Sequence, residues 1–151
     1  TRDEFEKYRV PIKPSYIEYN KICAEYYEGT AEIETMWSVI TNLGLYDSNE
    51  SEVLIDKCIK NIKDLDKMVA FGKTIDKNYT GIQNAPAYIR LAMLYEKRGD
   101  YDSGISVCIE GIKKGCVEDN SKGKMYGRLA RLIKKSGIEP TQEMSNLLSM
   151  K

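Results

Sequence analysis

A chain of 151 residues, 42% hydrophobic and 30% charged, with equal numbers of acidic and basic side chains, has room for one domain with one continuous core. Having no histidine, it excludes Ser-His-Asp and Cys-His catalysis, and no apolar run nears the ~18 residues of a membrane span. The neutral total hides an uneven distribution: residues 1–56 hold 12 acidic and 5 basic side chains, and residues 57–151 hold 11 and 18.

Residues 1–14 read as a charged lead-in, with Pro11 and Pro14 bracketing an extended stretch. The sequence opens on Thr1, as a processed chain or a piece of a longer one does. A helix is predicted from Pro14-Ser15, its apolar face marked by Tyr19, Ile22, Cys23 and Tyr26, with a break at Gly29-Thr30. Ile33, Met36, Trp37 and Ile40 predict a second helix ending near Asn42–Gly44. Asn49 and Glu52 have the spacing of a capping box, and Ile55, Cys58, Ile59 and Ile62 repeat the face. A break is expected near Asp64–Asp66, before a helix carrying Met68, Phe71 and Ile75.

After a Gly/Asn-rich loop over 76–84, residues 85–113 carry the clearest pattern. Tyr88, Leu91, Ala92 and Tyr95 share one helical face, and Gly99 can close that helix at positive φ. Asp100 can cap the next helix, where Gly104 and Cys108 leave room for close helix approach and Ile112 continues the face. A loop over Lys113–Lys124 precedes Tyr126, Leu129, Ala130 and Ile133, which end at Ser136-Gly137. Pro140 opens a last helix whose Met144, Leu147 and Leu148, with Met150 beyond, form an apolar edge expected either of a chain cut short or of a surface that meets a partner such as another copy.

Residues 85–113 resemble a tetratricopeptide repeat, a helix-turn-helix unit with a period of about 34 residues. Tyr19, Ile55, Tyr88 and Tyr126, taken as equivalent, fall at intervals of 36, 33 and 38 residues. The resemblance therefore implies an all-α, right-handed solenoid of about four stacked antiparallel hairpins over residues 15–151. A single antiparallel bundle with one embedded repeat is the competing architecture. Repeat units of this kind bury apolar surface for one another rather than alone.

No phosphate-binding glycine loop, dinucleotide fingerprint or metalloprotease motif is present, and i,i+2 carboxylate pairs such as Glu32/Glu34 point apart on a helix. A non-enzymatic role is expected, without cofactor. The four cysteines are too scattered for a zinc site; they read as structural thiols of a reducing, cytoplasmic setting.

The resemblance implies a concave groove lined by the first helix of each repeat and holding a partner's peptide. Lys57, Lys60, Lys63, Arg90, Met93, Lys124, Arg128, Arg131 and Lys135 would lie along it as a basic stripe suited to carboxylates. Within that stripe Arg90, Met93, Lys124, Arg128 and Arg131 are the candidate peptide-binding residues. Lys124 and Arg128 match the Lys/Arg spacing by which one subclass grips chaperone-tail carboxylates. Asp56, Lys60 and Arg90 depart from that subclass elsewhere, so a more general groove for acidic segments is implied. Trp37, Tyr88, Tyr95 and Tyr126 read as core, leaving Tyr27, Tyr46 and Tyr79 for a partner surface.

The expected partner is thus an acidic protein or peptide segment, with no membrane association. The alternatives are self-assembly through the acidic front and basic back halves, or a regulatory, nucleic-acid-associated domain of a longer protein. Nucleic acid itself is the weaker expectation, because the aromatics sit on the apolar stripe.

Overall fold

The computed structural model describes residues 13–151, which form six α-helices and, among the described residues, no strand. The lead-in expected over residues 1–14, including Pro11, lies outside the described residues up to position 12. Helix α1 (Pro14–Leu43) starts with Pro14 in its first turn and ends where Gly44 turns left-handed at φ 65°. Helix α2 (Asn49–Ile75) antiparallels it, and Lys57 and Lys60 of α2 meet Glu32 and Glu25 of α1.

The two expected breaks are absent. Gly29 lies inside α1, where a Cβ would stand 2.5 Å from Nδ2 of Asn61. The glycine lets α2 approach closely enough for Asn61 to donate to the Tyr26 carbonyl at 3.0 Å. Thr30 turns its hydroxyl back to the Tyr27 carbonyl within the helix instead of capping a new one. Asp64 accepts from Lys60 one turn earlier, and the stripe Ile55, Cys58, Asn61, Leu65, Met68 and Gly72 stays buried through the segment. Two predicted hairpins are therefore one long hairpin, and the described chain holds three successive helix pairs rather than four hairpins. Ile59 is exposed at 45%, because the buried stripe of α2 runs through Cys58, Asn61 and Leu65 and leaves it to one side. The capping box is formed by Ser48 and Ser51, one position before the expected Asn49/Glu52 pair.

Helices α3 (Pro86–Lys97) and α4 (Tyr101–Lys113) bear out the clearest part of the sequence. Gly99 has φ 72°, Asp100 accepts from the Ser103 N–H, and Cys108 is fully buried. A Cβ on Gly104 would press on Leu132 of α5 (Lys124–Ser136) at 3.2 Å, and one on Gly111 would meet Tyr88 at 3.1 Å. Helix α6 (Gln142–Leu148) is capped by Thr141, just after the expected start at Pro140.

Each helix packs on its chain neighbour, while α1 also reaches α3 and α4 also reaches α6. Two apolar clusters result. One joins Ile22, Tyr26, Leu65 and Met68 to Tyr88, Ala92, Cys108 and Leu129. The other joins Ile33, Trp37, Ile40, Leu54 and Cys58 to Ala87, Leu91 and Leu94. Helix α3 contributes to both. Met144 and Leu147 pack into the first cluster, so the expected C-terminal apolar edge is largely covered by the chain itself, leaving Met150 exposed.

All four cysteines are free thiols, and burial pushes those of Cys58 and Cys108 up to about 12 and that of Cys116 to about 11. Such thiols are inert packing groups. Among the described residues no helix is long and apolar enough to cross a membrane.

Candidate functional site

Three of the five candidate residues come together. Arg90, Met93 and Arg128 line a cleft of about 340 Å³ formed by α3, α5, Glu34 of α1 and the loop before α5. Ile89 and Pro86 supply apolar wall, while Asn84, Asn120 and Ser121 supply polar rim.

Arg90 stands on the face of α3 turned to α1. Its Nε and Nη2 donate to the two carboxylate oxygens of Glu34 at 2.9 and 2.7 Å, a bidentate pair. Its guanidinium also lies 5.7 Å from the Trp37 ring centre, and its Nη1 donates to Met93 Sδ at 3.3 Å. The head group is therefore fixed from three sides, with Nη1 held only by a weak thioether acceptor.

Arg128 is buried. Its Nε donates to Asp119 at 2.7 Å, and Asp119 also accepts from the Ser121 N–H and hydroxyl. Burial alone would raise the Asp119 pKa, but the Arg128 and Ser121 hydrogen bonds outweigh it and hold the carboxyl below the usual range. The Nη groups of Arg128 have no acceptor among the described residues.

Arg131 braces the loop beside the cleft, donating to the Lys122 carbonyl at 2.7 Å and the Ser121 hydroxyl at 3.0 Å. Gly127 lets that Lys122 carbonyl lie directly against the helix, and Gly123 (φ 77°) turns the chain into α5. Further along, Glu118 N–H donates to Gln83 O, tying the loop to the lead of α3. Lys124 sits outside the cleft, paired with Glu118 at 2.8 Å. The rest of the expected stripe is dispersed: Lys57 and Lys60 pair with acids of the front hairpin, and Lys135 with Glu96. Of the three candidate partner-surface tyrosines, Tyr27 is exposed. Tyr46 packs on Trp37 beneath Lys97, and Tyr79 lies against Gly72.

Glu34, Asp119, Asn84 and Asn120 are site residues that sequence reasoning missed. Glu34 follows the buried Ile33, so its helical position borders the apolar stripe, and Asp119-x-Ser121 is a local turn signal. Neither signal names an arginine partner. Arg98 was missed as well. It donates to the Tyr46 carbonyl and the Ser51 hydroxyl and pairs with Glu52, clamping the α3–α4 turn onto the α1–α2 loop.

The cleft thus offers guanidinium and amide N–H donors beside a thioether and an isoleucine, in a setting for binding polar chain. Among the described residues, no three His, Cys, Asp or Glu side chains gather as a metal ion would need. No protein-family model, curated protein or solved structure matches the chain.

Proposed function

We propose that the protein is a non-enzymatic interaction module that holds an acidic peptide segment of a partner in the cleft between α3 and α5, on a tetratricopeptide-like stack of helix pairs. The observation that carries this reading is the state of the two arginines. Each is anchored by one carboxylate of its own chain, and each presents further N–H donors, Nη1 of Arg90 and both Nη groups of Arg128, without a strong acceptor among the described residues. A carboxylate entering between them would satisfy both without reorganising either, because the anchors have already fixed the side chains. Met93 and Ile89 give the same ligand an adaptable apolar contact.

The repeat-like stacking rests on the α3–α4 unit. The fourth expected unit fits it less well, since α5 buries Met125, Arg128, Leu129, Leu132 and Ile133 and exposes Ala130. Assembly of acidic front on basic back halves has less support. The two signs already meet within the chain, through Glu32–Lys57, Glu34–Arg90 and Glu52–Arg98.

The test is selection from a random peptide display library on the full chain and on Arg128→Lys, a variant able to keep the Asp119 pair but not the guanidinium fork. Enrichment of aspartate- and glutamate-bearing peptides, weakened about tenfold on Arg128→Lys at unchanged thermal midpoint, is expected. Failure to enrich acidic sequences, or equal binding to both proteins, overturns the reading.

A further inference from the structure

The front hairpin carries a second recess, on a different face from the cleft. Between α1 and α2 runs a groove of about 280 Å³ whose floor is Gly29 and Asn61. Its walls hold four carboxylates, Glu25, Glu28, Glu32 and Asp64, against two ammonium groups, Lys57 and Lys60, which leaves an excess of two negative charges. Lys57 donates to Glu32 at 2.8 Å, and Lys60 to Asp64 at 2.8 Å and Glu25 at 3.2 Å. Glu28 has no cationic partner among the described residues.

The floor adds an independent sign. Asn61 is only 2% exposed; its Nδ2 is used by the Tyr26 carbonyl, while its Oδ1 is a buried acceptor with no donor. A buried acceptor left unpaired is costly unless something donates to it. Glu28 and Asn61 Oδ1, the two groups here without any partner among the described residues, are both acceptors. The matching ligand carries several donors and no acceptor, which describes a primary ammonium. The carboxylates do not gather closely enough for a metal ion.

The groove continues past Glu28, Glu32 and Lys57 into a more open trough over Ala31, Thr35 and Met36. Glu25, Glu28 and Glu32 follow at three- and four-residue intervals, about 4.5 and 6 Å along the helix axis. Amines separated by three- and four-carbon chains repeat over comparable distances, and methylenes suit the apolar trough.

We propose that the α1–α2 groove binds a linear aliphatic polyamine, with one ammonium between Glu28 and the Asn61 floor and the alkyl chain running toward Met36. Gly29 keeps this floor in place, because a Cβ there would stand 2.5 Å from Asn61 Nδ2 and push the amide aside.

Calorimetric titration of the full chain with spermidine, 1,4-diaminobutane, butylamine and Mg²⁺ tests the proposal. It is paired with Glu28→Gln and with Glu139→Gln, an equal charge change on a distant exposed loop residue. Saturable binding that falls in the order spermidine, diamine, monoamine, is weakened about tenfold by Glu28→Gln and is unmoved by Glu139→Gln is expected. Absence of saturable binding, equal loss in both variants, or equal affinity for Mg²⁺ or butylamine overturns it. Melting curves of both variants should coincide with that of the parent, which separates loss of the site from loss of the fold.

Discussion

The long front hairpin and the short helices behind it use the same residue types to different ends. In α1 and α2 the interior glycines mark close approaches, as Gly29 does under Asn61; behind Ile75 glycines serve both there, as Gly104 and Gly111 do, and at positive φ where helices end or begin, as Gly99, Gly123 and Gly137 do. Charge divides likewise. The α1–α2 ion pairs are solvent-exposed, with Lys57 and Glu32 side chains 40% and 50% accessible, whereas Arg128 and Asp119 are 8% and 3% accessible. Residue identity alone does not tell whether a glycine breaks or a charge matters; burial and the partner across the interface do.

The largest effect should come from reversing the buried charge. Arg128→Glu sets two carboxylates together away from water and should lose about 3–5 kcal/mol in urea denaturation. A loss under about 1 kcal/mol would place the pair with the surface ones. Acid should act through the same pair. Because the folded-state pKa of Asp119 is lowered, its contribution is fully present above the unfolded carboxylate value near about pH 4 and is lost as pH falls through the lower folded value. Asp119→Asn should flatten that acid limb in a pH series of denaturation curves, at lower stability overall.

Gly29→Ala gives a prediction of sign. Were Gly29 merely a weak point in a helix, alanine would stabilise by about 1 kcal/mol. With Asn61 forced off the Tyr26 carbonyl, a net loss of about 1–2 kcal/mol is expected instead. Adding Asn61→Ala to Gly29→Ala should recover part of it, and a purely additive double mutant would contradict the contact. Lys57→Ala should cost less than about 1 kcal/mol, most of it gone at high salt.

What could be read in the sequence was local. Gly44, Pro86, Gly99-Asp100 and Gly137 are boundaries because a left-handed turn, a proline or a cap sits in the chain where the helix changes. The α1 and α2 interiors were misread because Gly29 and Asp64 resemble punctuation until their partners, Asn61 and Lys60, are known. The face of α5 was misread for a related reason. The loop before it folds beneath the helix and draws Arg128 inside, which no apolar spacing predicts. At the cleft, Arg90 and Met93 were reachable through the resemblance of α3 to a repeat, and they line the cleft one turn apart. Glu34 lies 56 residues from Arg90 and could not be found by any local rule.

Helix α3 is buried on two sides, with Tyr88 and Ala92 in one cluster and Ala87, Leu91 and Leu94 in the other. Neither half of the described chain can open without uncovering it. Its central amides should therefore exchange with solvent deuterium only when the whole domain unfolds, and unfolding should be a single cooperative event. The seven-residue α6, packed on α4 and α5 at the end of the stack, should exchange long before.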